Sequence, residues 1–297
     1  MEEKDIDAII RLLDDPDVVV YSIIEKKVLE MGSAIIPKLE KHWENSLNEF
    51  LHKRVENIIQ KIQFTETSSG LIDWKNNESD DLLKGAYLIA KYQYPDLDFN
   101  TLHEKIEKLK RDAWIELRDH LTPLEQIRIL NYILFEVNKF SGNNSNFYAP
   151  QNSYINHVLE TKKGNPISLA IIYSVIAQKI GIPVYGVNLP KNFILAYVNK
   201  QKTDNLVANN DDILFYVNPF NRGAVLGKRE IDYFLKQQKL PQDKIFYKPC
   251  DNIVTMQRLL NNLIFSYEKL GYPEKTADIQ KLLALLGNPL TDETEWE

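Results

Sequence analysis

An α+β fold follows from a few observations on the sequence. Residues 165–180 are apolar on nearly every helical face, with Ile167, Leu169, Ile171, Ile172, Val175 and Ile176 among them. A helix apolar all round is a buried one. Segments of strand composition follow at once, at 184–189, 193–198 and 213–217. Most of the remaining chain places apolar residues at helical spacing. A buried helix leading into antiparallel strands, with the other helices segregated to either side, is an α+β order.

Residues 1–65 read as helices throughout. Ile6, Ile9, Ile10 and Leu13 form one apolar stripe, and Asp14-Asp15-Pro16-Asp17 ends it as a turn. A second helix runs from Val18 to about Leu29 and stops at Met31-Gly32-Ser33. Pro37 sits early in the third, where its missing N–H costs little. A fourth passes through Phe50, Val55, Ile58 and Ile62. Paired helices of this length resemble HEAT-type hairpins. Residues 65–80, rich in Ser, Asn and acids, read as a linker.

Helix signals resume at Leu82, Leu83, Ala86 and Ile89 and stop at Tyr94-Pro95. Leu102, Ile106, Leu109 and Ala113 form the next stripe. Thr122-Pro123-Leu124-Glu125 is a capping box with Pro at the first helical position, so a helix starts there and runs to about Val137. Ser141-Gly142-Asn143-Asn144-Ser145-Asn146 is a loop of turn formers, and 199–212 is a polar loop between strands. Residues 253–287 form a closing helical hairpin around Gly271-Tyr272-Pro273, similar to a TPR unit. The expected domains are therefore 1–65, 80–248 and 249–297.

The chain has 297 residues, 44% hydrophobic and 26% charged, which suits a globular protein with real cores. A formal net charge of −6 argues against nucleic acid, whose phosphates call for Lys and Arg concentrated on one face. The run 104–111 alternates Lys with Glu at helical spacing and reads as a solvated helix face. A single Cys, Cys250, excludes an internal disulfide and suits a reducing compartment. The start, Met1-Glu2-Glu3-Lys4-Asp5, lacks the basic and apolar regions of a signal peptide. The longest apolar run, near 169–175, is far short of the roughly 18 residues of a membrane span. These features predict a cytoplasmic protein that binds neither membrane nor nucleic acid. His42, His52, His103 and His120 are scattered without metal-ligand spacing, and the Gly142 and Gly223 segments lack a phosphate-loop pattern, so no metal or cofactor is expected.

Three motifs carry a family resemblance: Asn152-Ser153-Tyr154-Ile155-Asn156-His157-Val158-Leu159, Gly164-Asn165-Pro166-Ile167-Ser168, and Gly181-Ile182-Pro183-Val184. Together they resemble the core of the bacterial transglutaminase-like family. Residues 81–96, 140–143, 188–190 and 218–223, and the closing hairpin, are similar too, so the resemblance spans roughly 80–290. It implies a papain- or transglutaminase-like core, a buried helix packed on a small antiparallel sheet. In catalytic members of that superfamily a Cys at the helix start is activated by the helix dipole and a nearby imidazolium. A His on the following strand and an Asp on the next complete the triad.

Those roles are vacant here. The helix start offers Asn165, Pro166, Ile167 and Ser168, with no thiol. Ser168 is the one hydroxyl; it would need a strong base, and its simpler role is to satisfy a free N–H. Asn192 stands where the resemblance calls for the His, and an amide cannot exchange a proton near pH 7. Asn218 stands in place of the Asp and cannot stabilise an imidazolium. Rescue candidates are His157, which precedes the buried helix, and Cys250, just before the closing hairpin. Their simpler readings are a hydrogen-bonded structural His and a buried thiol.

The sequence thus leads to an inactive transglutaminase-like protein acting as a protein- or peptide-binding module. Its cleft is expected to be lined by Asn165, Tyr173, Asn192 and Asn218, amides suited to a peptide backbone. The rival is a hydrolase or acyl transferase using Ser168 or Cys250 with His157 as base. A third possibility is a structural platform for the helical arms.

Overall fold

The computed structural model describes residues 3–199 and 212–287. The chain divides into two compact units, Met1–Gly70 and Leu71–Glu297.

In the first unit, helices α1 (Glu3–Arg11), α2 (Val18–Glu30) and α3 (Ile36–Glu44) precede the start of the long helix α4 (Glu49–Asn77). The Asp17 carboxylate caps α2 by accepting from Val19 N–H at 2.7 Å. Leu13, Val28, Leu39, Val55 and Ile58 meet in one core from which water is excluded. Arg54, only 8% exposed, ties this unit together. Its Nη1 donates to the carbonyls of Leu13 and Asp15 at 2.9 and 2.7 Å. Its guanidinium lies 3.9 Å from the Tyr21 ring centre and 4.0 Å from that of Phe50. The planar cation thus supplies donors to the end of the first helical segment while the rings cover its faces.

The expected linker at 65–80 is helix as far as Asn77. Leu71 and Trp74, three residues apart and both inaccessible, supply an apolar stripe that the surrounding Ser, Thr and Asn obscure in composition. The Trp74 indole N–H donates to Asp81 O at 2.8 Å and closes the turn into α5 (Leu82–Gln93).

The second unit continues with α6 (Phe99–Glu116) and α7 (Pro123–Asn131), whose capping box of Thr122 and Glu125 is formed as read. The helix expected to reach Val137 changes to a π-helical turn over Tyr132–Val137. Strands β1 (Ser141–Gly142) and β2 (Lys163–Gly164) form a short parallel pair. Between them lies α8 (Ile155–Thr161), and directly after them α9 (Pro166–Lys179). Strands β3 (Val184–Val187), β4 (Ile194–Val198), β5 (Ile213–Asn218) and β6 (Ala224–Leu226) make an antiparallel sheet in the order β3-β4-β5-β6. Helices α10 (Lys228–Gln237), α11 (Asn252–Leu270) and α12 (Pro273–Leu286) follow. The architecture is α+β, as expected. α8, β6 and α10 were not anticipated: α8 and β6 are short, and α10 carries its apolar stripe on three residues only, Ile231, Phe234 and Leu235. The expected loop at 199–212 lies, apart from its ends, outside the described residues.

β4 is buried at every position, so both of its faces are covered. α9 packs against β3 and β4. On the sheet side Val187, Ile194 and Tyr216 meet Ile231 and Leu235 of α10 and Phe246. α9 ends at Gly181, whose φ of +76° lets Ile182 N–H reach Ala177 O at 2.8 Å and Gly181 N–H reach Gln178 O at 3.0 Å. Ser174 Oγ and Gln178 Nε2 each donate to Val184 O at 2.9 Å, pinning the helix to the start of β3. Among the described residues no helix is long and apolar enough to cross a membrane.

Replacing Arg54 with Met leaves two carbonyls without their charged donor. An unfolding free energy lower by about 2–3 kcal/mol is expected in urea titrations followed by circular dichroism.

Candidate functional site

The start of α9 is held by a closed set of hydrogen bonds. Asn165 Oδ1 accepts from Ser168 N–H at 3.0 Å, and Asn165 N–H donates to Ser168 Oγ at 3.1 Å. Asn165 Nδ2 donates to Ser153 Oγ at 2.8 Å. Asn165 N–H also lies 3.3 Å from Asn152 O. Ser168 is therefore a capping residue; its hydroxyl, 1% exposed, is engaged with Asn165 on both sides. Pro166 has no N–H, and Ser168 and Leu169 donate to Asn165. Ile167 N–H is left as the donor of the first turn without a partner among the described residues.

A cleft of about 240 Å³ opens at this helix start. Asn165, Pro166 and Ile167 form its floor, Lys191, Asn192 and Phe193 one wall, and Arg258, Asn262, Phe265 and Ser266 of α11 another. Phe147 and Tyr148 form the lip, 41% and 46% exposed. No Cys, His, Asp or Glu is among these residues, and two of them are cations. Lys269 Nζ stands 3.4 Å from the Tyr148 ring centre and 4.6 Å from that of Phe265, which fixes the aromatic lip.

The loop carrying the lip is organised by Asn152, 1% exposed. Its Nδ2 donates to the carbonyls of Asn146 and Phe147 at 2.7 and 3.0 Å, and its Oδ1 accepts from Asn143 Nδ2 at 2.9 Å. Phe193 reaches the cleft because Gly186 lacks a side chain: a Cβ there would stand 2.7 Å from the ring.

Of the residues expected to line the cleft, Asn165 and Asn192 are brought together there. Asn192 lies in the turn before β4, where its Oδ1 accepts from Phe193 N–H at 2.9 Å. Its NH₂ has no hydrogen-bond partner among the described residues. Tyr173 and Asn218 belong to a different cluster. Tyr173 sits two turns into α9, about 11 Å along the axis from the helix start, and is fully buried. Its hydroxyl donates to Asn131 Oδ1 at 3.0 Å, and burial pushes the phenol well above its ordinary pKa, so it stays a donor. Asn131 Nδ2 donates to Gly223 O at 2.8 Å, and Gly223 N–H to Asn218 O at 2.9 Å. Gly223 has a φ of +73°, and a Cβ on it would come within 1.9 Å of Asn131 Oδ1. The Asn218 carboxamide accepts from Asn221 N–H at 3.3 Å and shapes the turn after β5. These residues join α7, α9 and the end of the sheet, away from the cleft lining.

His157 is half-buried on α8, and its ring has no hydrogen-bond partner among the described residues. Cys250 precedes α11; its N–H donates to Gly186 O at 2.8 Å and its Sγ lies 3.6 Å from Thr255 Oγ1. Burial pushes the thiol up to about 12, partly offset by Thr255. Neither residue lines the cleft. Among the described residues no cluster of three or more His, Cys, Asp and Glu is placed to hold a metal ion.

The α11 wall was not anticipated. Its signal was a polar series, Arg258, Asn262 and Ser266, spaced by four on one face of an amphipathic helix. The aromatic lip gave no signal beyond lying next to the turn-forming loop.

Comparison with known proteins agrees with this core. The family model described as the transglutaminase-like superfamily matches residues 100–261. The chain belongs to the transglutaminase-like superfamily. A UPF0162 protein of Xylella fastidiosa (strain Temecula1) is 31% identical over 228 residues, covering 72% of this chain and 77% of that one. The UPF0162 protein YchA of Escherichia coli (strain K12) is 24% identical over 196 residues, 65% of this chain and 68% of that one. F-box only protein 21 of Homo sapiens is 30% identical over 135 residues, 46% of this chain and 20% of that one. No solved structure matches.

Two measurements bear on the site. Asn165→Ala removes the α9 cap and should cost about 1 kcal/mol, up to about 2, in denaturant unfolding. The raised Cys250 pKa favours the neutral thiol in the fold. Its stabilising effect is complete below about pH 9 and is lost as pH rises towards 12. Alkylation by iodoacetamide at neutral pH should therefore be about a thousand-fold slower in the native chain than in urea, matching the smaller thiolate fraction.

Proposed function

We propose that this protein is a catalytically silent transglutaminase-like module whose cleft binds protein or peptide. The observation that carries the proposal is the composition of that cleft. It occupies the start of the buried helix, where the superfamily's chemistry would be expected, and among the described residues it is lined by amides, aromatics, cations and Ser266, whose hydroxyl donates to Asn262 O at 2.8 Å, with no Cys, His, Asp or Glu. Asn165 and Ser168 are engaged in capping and Asn192 cannot transfer protons, so acyl transfer has neither an attacking group nor a base. Carboxamides beside aromatic faces suit a peptide, whose backbone needs both donors and acceptors and whose side chains need apolar contact.

On this reading the chain comprises a HEAT-like N-terminal part, 1–65, a core, 80–248, and a TPR-like tail, 249–297, helical pairs of a kind that offers surfaces to protein partners. Part of the core also occurs within F-box only protein 21, where it is 20% of the chain, which fits a module used inside a larger protein. The setting that suits this reading is the cytoplasm, with a single thiol left reduced.

A pool of random hexapeptides with free termini, passed over the immobilised full chain, should be retained. Retention should fall about tenfold in Asn262→Trp, which plugs the cleft while leaving its floor intact. Absence of retention, or equal retention by the plugged variant, would sink the binding role. Covalent labelling by a serine-directed probe that disappears in Ser168→Ala would restore an enzymatic one.

A further inference from the structure

We infer that the cleft and its aromatic lip bind a proline-rich segment in the polyproline II conformation. This rests on the binding role proposed above and specifies the kind of peptide that is bound.

The first observation is where the lining comes from. Its residues belong to a loop, the start of α9, the turn before β4 and one face of α11, and none lies in a strand. No strand edge is therefore offered to a peptide that would extend a sheet. The cavity, about 240 Å³, is also too small to seat an amphipathic helix, about 10–12 Å across with its side chains. Among the modes that read backbone shape, an extended segment laid against aromatic rings is the one left.

The second observation is a row of rings along the lip. Phe220, Phe147, Tyr148 and Phe265 follow one another with centroids 5.8, 5.2 and 5.4 Å apart. Interplanar angles of 89°, 85° and 58° turn each ring against the next, so the row presents slots rather than a flat plate. The steps are close to the two-residue rise of polyproline II, about 6 Å. Phe147 and Tyr148 are exposed, yet the row is held in place. A Cβ on Gly142 would come within 2.5 Å of the Phe220 ring, Asn152 holds the Phe147 carbonyl, and Lys269 covers Tyr148 and Phe265. Exposed rings gathered in one row mark a binding surface, which apolar residues scattered singly do not. Proline fits such slots at low entropic cost, because its chain is extended before it binds.

The third observation is the hydrogen bonding that the cleft leaves open. Ile167 N–H has no partner among the described residues, and Asn192 has used its Oδ1 on Phe193 N–H and keeps its NH₂. Both are donors, and both line the same cavity as Phe193 and Phe265. A proline-rich segment presents carbonyl oxygens and lacks an N–H at each proline. It can meet these donors without burying unmatched donors of its own. A proline-free segment would bring one N–H per residue against them. Rings and donors thus call for the same ligand, one with apolar ring faces and a backbone rich in acceptors.

The test uses the full chain and three pools of N-terminally labelled hexapeptide amides. The second, third and fifth positions are fixed as Pro, as Ala or as N-methylalanine, and the others are random. By fluorescence anisotropy the Pro pool should bind about tenfold more tightly than the Ala pool. The N-methylalanine pool, which lacks the same N–H groups but not the ring, should fall between them. In Phe147→Ala/Tyr148→Ala the preference for Pro should vanish, in Tyr148→Phe it should persist, and melting temperatures show that the variants are folded. Equal binding of the Pro and Ala pools to the wild-type chain overturns the proline assignment while leaving peptide binding intact. Binding of none of the pools overturns both. An N-methylalanine pool bound no better than the Ala pool overturns the role given to the missing N–H groups. Saturable binding of maltohexaose in place of the Pro pool would reassign the aromatic row to a carbohydrate.

Discussion

Enclosure of α9 is the constraint on which the rest of the second unit depends. Every residue from Ile167 to Ala177 is buried, so the helix must be contacted on all sides. β3 and β4 cover one side, and α5, α6 and α11 take others. Its two buried serines are satisfied, Ser168 within the capping box and Ser174 on Val184 O. With both ends tied, at Asn165 and at Gly181, the helix has one permitted position. The elements around it inherit their places from that.

The cleft follows from this arrangement. A buried helix still has to end somewhere, and the groups at its N-terminus cannot all be satisfied from within. Here the Asn165–Ser168 box meets most of the need, and the surrounding segments leave space rather than sealing it. Asn152 spans the 143–147 loop and brings Phe147 to the rim. Tyr267, whose hydroxyl lies 2.7 Å from that of Tyr154, anchors α11 against the core and so places Arg258, Asn262 and Phe265 as the facing wall. The closing helices thus contribute to the site as well as to stability.

The chemistry left at this position is recognition by hydrogen bonds and charge. Amides keep their donors and acceptors at any physiological pH. The one thiol of the chain is half-buried, and the burial of its sulfur raises its pKa and so disfavours the thiolate.

Periodicity was enough for the buried helix, the three strands of the core and most of the flanking helices, because those elements are strongly patterned and their partners lie close in sequence. Residues 65–80 misled because Leu71 and Trp74 are sparse among polar neighbours, and only a packed neighbour gives such a thin stripe a use. The same holds for the site. Asn165 was apparent from its position at the helix start before Pro166, and Asn192 from standing where the family resemblance calls for a His. Tyr173 and Asn218 were assigned to the cleft on the sequence pattern, but rotation two turns along α9 and the turn after β5 send them to the Asn131–Gly223 cluster instead. The residue types themselves settle that no thiol or imidazole stands at the helix start or before β4. Which side chains share a cavity was decided by long-range packing, since α11 arrives about ninety residues later and its docking angle is written in no local pattern.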